Sequence, residues 1–542
     1  MPVLDLSEFN IVLAVVGAFL ILFGIISSKI KHSWYLGEAL PATLVGILFG
    51  PIGAKFIDSA RWGAAEPDQQ HEITLGVCRV VIGIQLAIVG FQLPAKYQLV
   101  RWKEKLIGML PVMTTMWLTT SVCFYMIIPN LSWLAALVLG SCVACTDPVL
   151  SQAIAKGPFA EKYVPIHLRD IMSSESGAND SFSFPSLMLA TFLIRHAATP
   201  GSGEANTIKE GALVARAEDV GRIGGGVGVA LKMWFLETWL YTVLLSIVYG
   251  AVVGYASSLA LKFAIKRRWI DSENFLLFPT AIGLFTLGTA GAINTEDLLA
   301  CFAAGNALNW NGIYQEECNN RRDWVNPTIC SLLNYGAFIY VGSVMPWNEF
   351  NAPDVTGITF PRLFALGFAV LAFRRIPAAM LSYKLLPKVC TNAREALVLG
   401  HFGPIGIGAI FFAEHTRTLF PELGDGDAEE THLIAALTPT VYWLVLFSIV
   451  FHGLSVPLLA FAYKRMNVPP VQECAIEILP FPSTAPFPRD SKVFERREES
   501  VIVEEKKVRN FSWGGSERTA SFDDDKRSLD LSDVKQEVRE MV

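Results

Sequence analysis

Apolar runs recur along the first 465 positions, separated by short stretches that hold almost all of the charge. A run of about 18 or more mostly apolar residues is long enough to cross a bilayer as a helix. Thirteen segments of this kind can be drawn, near 10–30, 35–53, 73–93, 106–128, 133–155, 170–194, 234–261, 275–293, 296–312, 328–346, 360–383, 395–413 and 433–461. The pattern predicts an all-α, polytopic membrane protein. Residues 197–232, rich in Gly, Ala and mixed charge, read as an extracellular loop; their GGGVG lacks the Lys-Ser/Thr that a phosphate cradle needs. Beyond 465 the apolar pattern stops. PPVQE, FPSTAPFP, EEKK and DDDKR mark 466–542 as a polar tail, expected to be disordered.

Orientation follows from the cations. Alternate loops hold Lys29 and Lys31, then Lys96, Arg101, Lys103 and Lys105, and so on through Arg267 and Arg268 to Lys464 and Arg465. Lys/Arg-rich loops face the cytoplasm, which puts the N-terminus outside and the C-terminus inside. The opposite loops are poorer in cations, and the last of them, PELGDGDAEE, is acidic.

Composition sharpens this picture only slightly. The 542 residues are 52% hydrophobic and 17% charged, against about 25% charged for a soluble domain. The net charge of -6 lies in loops and tail, so it points to no nucleic-acid partner. Nine cysteines, mostly inside apolar runs, imply no disulfide framework. MPVLDLSEFN carries acids and no Lys or Arg, unlike a cleavable signal peptide.

A weak repeat is visible. GEALPATLVGILFG in the second segment aligns with EDLLACFAAGNAL in the ninth, pairing Glu38 with Asp297 and Gly46 with Gly305 at an offset of 259. Gly140 and Gly400, in the fifth and twelfth segments, are offset by 260. Two halves of six spans flanking a seventh would have opposite topology. Inverted repeats with interrupted helices in matching positions mark transporters and point to the substrate site.

The interruptions can be read from proline. In the fifth segment, WLAALVLGSCVACTDPVLSQAIA, Asp147 precedes Pro148, so the helix should break at Thr146-Asp147. The twelfth should break at Gly403-Pro404 but carries no acid there. A break inside the membrane is tolerated where freed backbone groups face protein or a wet cavity. The carbonyls released there, with the Asp147 carboxylate, are hard oxygen ligands suited to an alkali cation. The plainer alternative is a pair of proline kinks with packing glycines. Cys142 and Cys145 form a CxxC with no second pair and no nearby His, which reads as small buried thiols rather than a zinc site.

The sixth segment carries two acids. From Ile171 to Ile194 the only charges are Glu175 and Asp180, in SSESGANDSF. Such a carboxylate costs roughly 2.5–3.5 kcal/mol at mid-membrane. On a helix Ser176 and Asp180 share a face with Asn179 close by, while Glu175 points elsewhere. Glu175 therefore needs its own counter-charge. The eleventh segment, LFALGFAVLAFRRIPAAML, offers Arg374 and Arg375 in mid-helix. A buried Glu175–arginine pair leaves Asp180 free to trade a proton for a cation; the alternative makes all of these charges interior struts.

TDPV at 146–149 with ESGAND at 175–180 resembles the paired motifs of the monovalent cation/proton antiporters, in the asparagine–aspartate form of the NhaP-like branch. The wider sequence, with HFGPIGIGAIFF and TEDLLACFAAGNALNW, is similar to the fungal plasma-membrane Na+/H+ antiporters over residues 10–465. The resemblance implies a thirteen-helix, NhaA-like fold with two discontinuous crossing helices, a core domain, a dimer domain and homodimeric assembly. It implies cation and proton binding at Asp180, Asn179, Asp147, Thr146 and Ser176, with Na+ at Asp180. It further implies a structural ion pair between Glu175 and Arg375, leaving Arg374 without an assigned role. Animal exchangers carry an arginine in the twelfth segment, where this chain has GPIGIG, so the electrostatics there do not transfer. Asp297 matches an acid of the fungal group and reads as a second ion station or a hairpin cap.

The expected function is secondary exchange of cytosolic Na+, Li+ or K+ for external H+ across the plasma membrane. Proton and cation would compete for Asp180, with no cofactor and no ATP motif. A cation channel and a membrane-embedded hydrolase with Asp147 and Asp180 as paired catalytic acids are the alternatives. The two interrupted helices and the repeat favour transport over the hydrolase, while a channel would use similar acids but conduct without stoichiometric exchange.

Overall fold

A computed structural model describes residues 8–57, 59, 69–155, 157–196, 222–386, 389–390 and 392–471; the side chains of 8, 9, 152–155, 180 and 181 are outside the description. The polar tail beyond 471 and most of the loop at 197–221 therefore lie outside the described residues, as does the side chain of Asp180.

Every one of the thirteen apolar segments is helical. In chain order they are α1 (Glu8–Ser28), α2 (Ala39–Phe49), α3 (Gln69–Gln92) and α4 (Trp102–Ile127). The fifth is split into α5a (Trp133–Ala144) and α5b (Pro148–Ala155). Next come α6 (Ile166–His196), α7 (Gly226–Arg267), α8 (Ser272–Ala292), α9 (Asp297–Leu308) and α10 (Val325–Ser343). The eleventh is split into α11a (Phe360–Phe373) and α11b (Ile376–Ser382), and the twelfth into α12a (Ala393–His401) and α12b (Ile407–Arg417). The last is α13 (Ala428–Arg465). Among the described residues, eight helices are long and apolar enough to cross a membrane, which makes the chain a multi-pass membrane protein.

Two features differ from the sequence expectation. α7 begins at Gly226, inside the stretch expected to be loop. Arg374 and Arg375 are not in mid-helix: the eleventh helix stops at Phe373 and resumes at Ile376. Pro377 is the cause. It has no N–H to give the Phe373 carbonyl and its ring crowds that group, so it starts a helix more readily than it continues one.

The helices pack as one unit, in which two sets of neighbours are joined where α12b meets α3 and α6 meets α7. In one, α9 lies against α3, α7 and α8, and α2 lies against α10. In the other, α5a packs on α4, α6 and α13, and the two halves of the eleventh and twelfth helices complete the group. The faint repeat has a physical counterpart in the first group. α2 and α9 are short, 11 and 12 residues, about 16–18 Å at 1.5 Å per residue. Each starts at an acid with a cationic partner, Glu38 with Lys31 at 2.8 Å and Asp297 with Arg79. Each also meets its neighbour through glycine. A Cβ on Gly46 would lie 2.9 Å from the Cα of Gly342, and one on Gly90 would lie 3.0 Å from the Cα of Gly305. Apolar side chains on α1 and α7, such as Ile25, Leu22, Val252 and Phe235, remain exposed, as a lipid-facing surface requires.

Candidate functional site

The first interruption leaves α5a at Ala144, runs through Cys145, Thr146 and Asp147, and resumes as α5b at Pro148. The second leaves α12a at His401 and resumes at Ile407. The two meet: the Asp147 amide donates to the Pro404 carbonyl at 3.0 Å. Four helix ends thus converge, two carrying unpaired N–H groups and two carrying unpaired carbonyls, and each end behaves as about half a charge.

Two side chains answer these ends by sign. The Asp147 carboxylate accepts from the Leu150 amide at 2.7 Å and from the Gly408 amide at 2.9 Å, so it caps the positive ends of α5b and α12b together. The Arg374 guanidinium takes the negative ends. Its Nη1 donates to the carbonyls of Val143 at 2.9 Å and Cys145 at 2.7 Å, and its Nη2 donates to the carbonyl of Gly403. Arg374 therefore satisfies from α11 the carbonyls that both breaks set free. The freed groups are not bare cation ligands. Each Asp147 oxygen already accepts one amide, so capping is its first role.

Glycine is required at this junction by close approach. A Cβ on Gly406 would lie 2.6 Å from the Asp147 carboxyl carbon, and one on Gly403 would lie 2.9 Å from Cγ2 of Thr146. GPIGIG thus fits the narrow gap between the two interrupted stretches of backbone.

α6 brings the second motif alongside. Asn179, fully buried, accepts from the Thr146 hydroxyl at 3.0 Å, and its Nδ2 lies 2.9 Å from the same Oγ1. Thr146 and Asn179 are therefore in contact. Ser176 is equally buried, but its hydroxyl turns back to the Ser173 carbonyl at 3.3 Å and meets neither of them. Asp180 follows Asn179 on α6, and its side chain lies outside the described residues. Glu175 faces elsewhere, as the helical spacing predicts. Its two oxygens take the two Nη atoms of Arg375 at 2.9 Å each, and Arg375 Nε donates to the Leu399 carbonyl at 2.9 Å.

Gly177, between these residues, carries no side chain because Phe302 of α9 occupies the space; a Cβ there would lie 2.5 Å from Cε2 of that ring. The Lys105 ammonium sits over the same ring at 5.3 Å and donates to the Ser174 carbonyl at 3.2 Å. Cys142 and Cys145 are buried thiols, the first bonded to the Val138 carbonyl and Thr416. Asp297, paired with Arg79, stands apart from the junction, on α9 at its contact with α3.

Three partners escaped sequence reading: Arg79, Lys105 and the carbonyls held by Arg374. Arg79 left a signal, a lone cation in the apolar run of the third segment. The carbonyls left none, since every residue has one.

The chain is similar to known proteins. Residues 15–462 match the family model described as sodium/hydrogen exchanger, transmembrane. The chain is 33% identical over 468 residues to a Na+/H+ antiporter of Saccharomyces cerevisiae, covering 84% of this chain and 44% of that protein. It is 32% identical to Na+/H+ antiporter 2 of Zygosaccharomyces rouxii, covering 84% and 53%. It is 31% identical to a Na+/H+ antiporter of Schizosaccharomyces pombe, covering 84% and 91%. The chain thus spans about half the length of the first two relatives and nearly all of the third. Its fold resembles that of the sodium proton antiporter MjNhaP1 of Methanocaldococcus jannaschii, with a TM-score of 0.54 at 14% identity, over 83% of this chain and 99% of that one. The chain belongs to the transmembrane sodium/hydrogen exchanger family.

Proposed function

We propose that this protein exchanges cytosolic Na+ for external H+ at a single carboxylate site centred on Asp180, with Li+ and K+ as further candidate cations. The observation that carries this reading is the junction of two broken helices, capped by Asp147 and Arg374, with Thr146 held against Asn179 beside Asp180. Four helix ends can be buried at one point because Asp147 and Arg374 meet them, and interrupted helices inside the membrane mark the binding sites of transporters. Asp180 takes a proton or a cation in turn. Asn179, Thr146 and Ser176 supply neutral oxygens, Asp147 and Arg374 hold the junction, and Glu175 with Arg375 braces α6 against α11. The helix group of α4, α5, α6, α11, α12 and α13 carries the site past the other group, opening it alternately to each side.

The relatives named as Na+/H+ antiporters support this chemistry for the present chain. We assign the N-terminus to the outside, the C-terminus to the cytoplasm, the location to the plasma membrane and the assembly to a homodimer. Residues 1–465 form the exchange domain and 466–542 a cytoplasmic tail. The test is flux in sealed vesicles: an imposed Na+ gradient must move protons the other way, and a proton gradient must move Na+. Current without coupling indicates a channel, and no movement overturns transport altogether.

A further inference from the structure

α6 runs from Ile166 towards Asp180, so Ser174 and Gly177 precede that carboxylate on the side of the cation-rich loop at 96–105, cytoplasmic by the orientation assigned above. A cluster closes the molecule there. Gly177 is pressed on the Phe302 ring of α9, where a Cβ would lie 2.5 Å from Cε2. The Lys105 ammonium, at the start of α4, stands 5.3 Å from the centroid of the same ring. It donates to the Ser174 carbonyl at 3.2 Å and to Oε1 of Gln98. Gln98 lies in the short helix Tyr97–Val100 between α3 and α4. Its Nε2 donates to the Ser174 hydroxyl at 3.4 Å and to Oδ1 of Asn306 at 3.1 Å. Asn306, one turn beyond Phe302, gives its own Nδ2 to the Phe302 carbonyl at 2.8 Å. Glu175 is within electrostatic reach of the ammonium, but both of its oxygens are taken by Arg375.

The members divide by the set of helices that carries them. Lys105, Ser174 and Gly177 stand on α4 and α6, whereas Phe302 and Asn306 stand on α9. When the α6 set moves past the α9 set, the ammonium must leave the ring and the Gln98 bridge must part at one end. These contacts are therefore made in one state and lost in another, and only such a difference can bias an equilibrium between two states. A cation is drawn to the face of an aromatic ring, more strongly where water is kept away, and Phe302 is buried. Held by a ring face and neutral oxygens, the ammonium is bound weakly enough to let go in each cycle.

We propose that Lys105, working through Gln98, Phe302 and Asn306, is the latch that holds the cytoplasmic route to Asp180 closed and thereby sets how tightly cations are taken from each side. The proposal rests on the alternating-access reading above. Lys105 is a positioning residue; it binds neither the cation nor the exchanged proton. An inner latch lowers the fraction of molecules open to the cytoplasm, and the apparent affinity of a site falls with the fraction able to bind. Cytosolic cations therefore bind more weakly, and external ones more tightly, than the site alone dictates.

The test uses the full-length protein in vesicles of one orientation, at equal and fixed pH, with Na+ varied on one face at a time. The half-saturating Na+ concentration on each face is measured for the wild type, Lys105→Met, Lys105→Arg, Phe302→Leu and the Lys105→Met/Phe302→Leu double variant. In Lys105→Met the value on the cytoplasmic face should fall by about two- to fivefold, the factor that one cation–ring contact supplies, and the value on the outer face should rise. Lys105→Arg keeps a cation over the ring and should stay near the wild type. Phe302→Leu should shift both values in the same directions, and the double variant no further than Phe302→Leu. If Lys105→Met is too unstable to reconstitute, Gln98→Ala gives the same two readings from the other end of the bridge. An equal change on both faces, or no change on either, overturns the proposal. So does a fall on the cytoplasmic face alone, which would mean that the ammonium merely repels incoming cations. A wild type without coupled exchange overturns the underlying reading instead.

Discussion

The Glu175–Arg375 pair gives a prediction whose magnitude can be worked from its contacts. Glu175→Gln removes the counter-charge of the buried Arg375 guanidinium and leaves it only neutral acceptors, the amide oxygen at position 175 and the Leu399 carbonyl. Stranding a buried charge in this way costs about 3–5 kcal/mol. Arg375→Gln strands Glu175 and also frees that carbonyl, so it should cost more than Glu175→Gln, by about 1–3 kcal/mol for an unmet buried acceptor. Changing both leaves no stranded charge; the residual loss is the carbonyl bond, again about 1–3 kcal/mol. The two single losses should therefore exceed the double loss by at least about 3 kcal/mol. The assay is thermal unfolding of the purified protein in detergent, read for the three variants and the wild type. Asp180 is untouched, so the double variant should keep measurable Na+ flux. Additive losses of stability, or a double variant less stable than either single, would refute the pairing as the brace of α6.

Three other outcomes follow from the same geometry. Arg374→Gln should leave the carbonyls of Val143, Cys145 and Gly403 largely unmet, lowering thermal stability and flux together; a variant as stable as the wild type would show that the junction does not depend on that guanidinium. Gly177→Ala should drive a methyl group into Phe302 and destabilise by about 1–3 kcal/mol, with Phe302→Leu restoring part of the loss; an unchanged melting temperature would show that the ring has room to move. Outside the membrane segments, burial pushes the Asp427 carboxyl up, but the Glu430 amide and Arg222 draw it further down, so that it ends below its ordinary value. A depressed carboxyl stabilises the fold above its ordinary range and loses that effect as the pH falls through the depressed value. Arg222→Gln should thus be less stable than the wild type at neutral pH, with the gap closing in strong acid; a gap constant with pH would contradict this.

Much of the architecture was legible because bilayer thickness imposes a length that apolar runs must meet, and each run became a helix. The breaks at Pro148 and Pro404 were legible because proline cannot donate in mid-helix. The break at Arg374–Arg375 was missed because Pro377 stands two residues beyond it, where it opens α11b instead of kinking a continuous helix. Glu175 was pairable from sequence with Arg374 or Arg375, since a buried charge needs a partner and few candidates exist; the choice of Arg375 was implied by the family resemblance, and the structure shows that pair. The partners of Arg374 were not legible, because its acceptors are backbone carbonyls, invisible in residue identity. Lys105 and Phe302 stand in different segments, and a lysine near a helix start raises no question until the fold sets it over the ring.

The central claim is that one carboxylate, Asp180, carries proton and cation in turn. Its most direct test is Asp180→Asn in proteoliposomes, with Na+ and proton movement followed together under opposed gradients. An amide cannot trade a proton for a cation, so coupled exchange should vanish while the protein remains folded and inserted, with the melting behaviour of the wild type. Substantial pH-dependent Na+ exchange by a folded Asp180→Asn variant would contradict the account and move the site elsewhere.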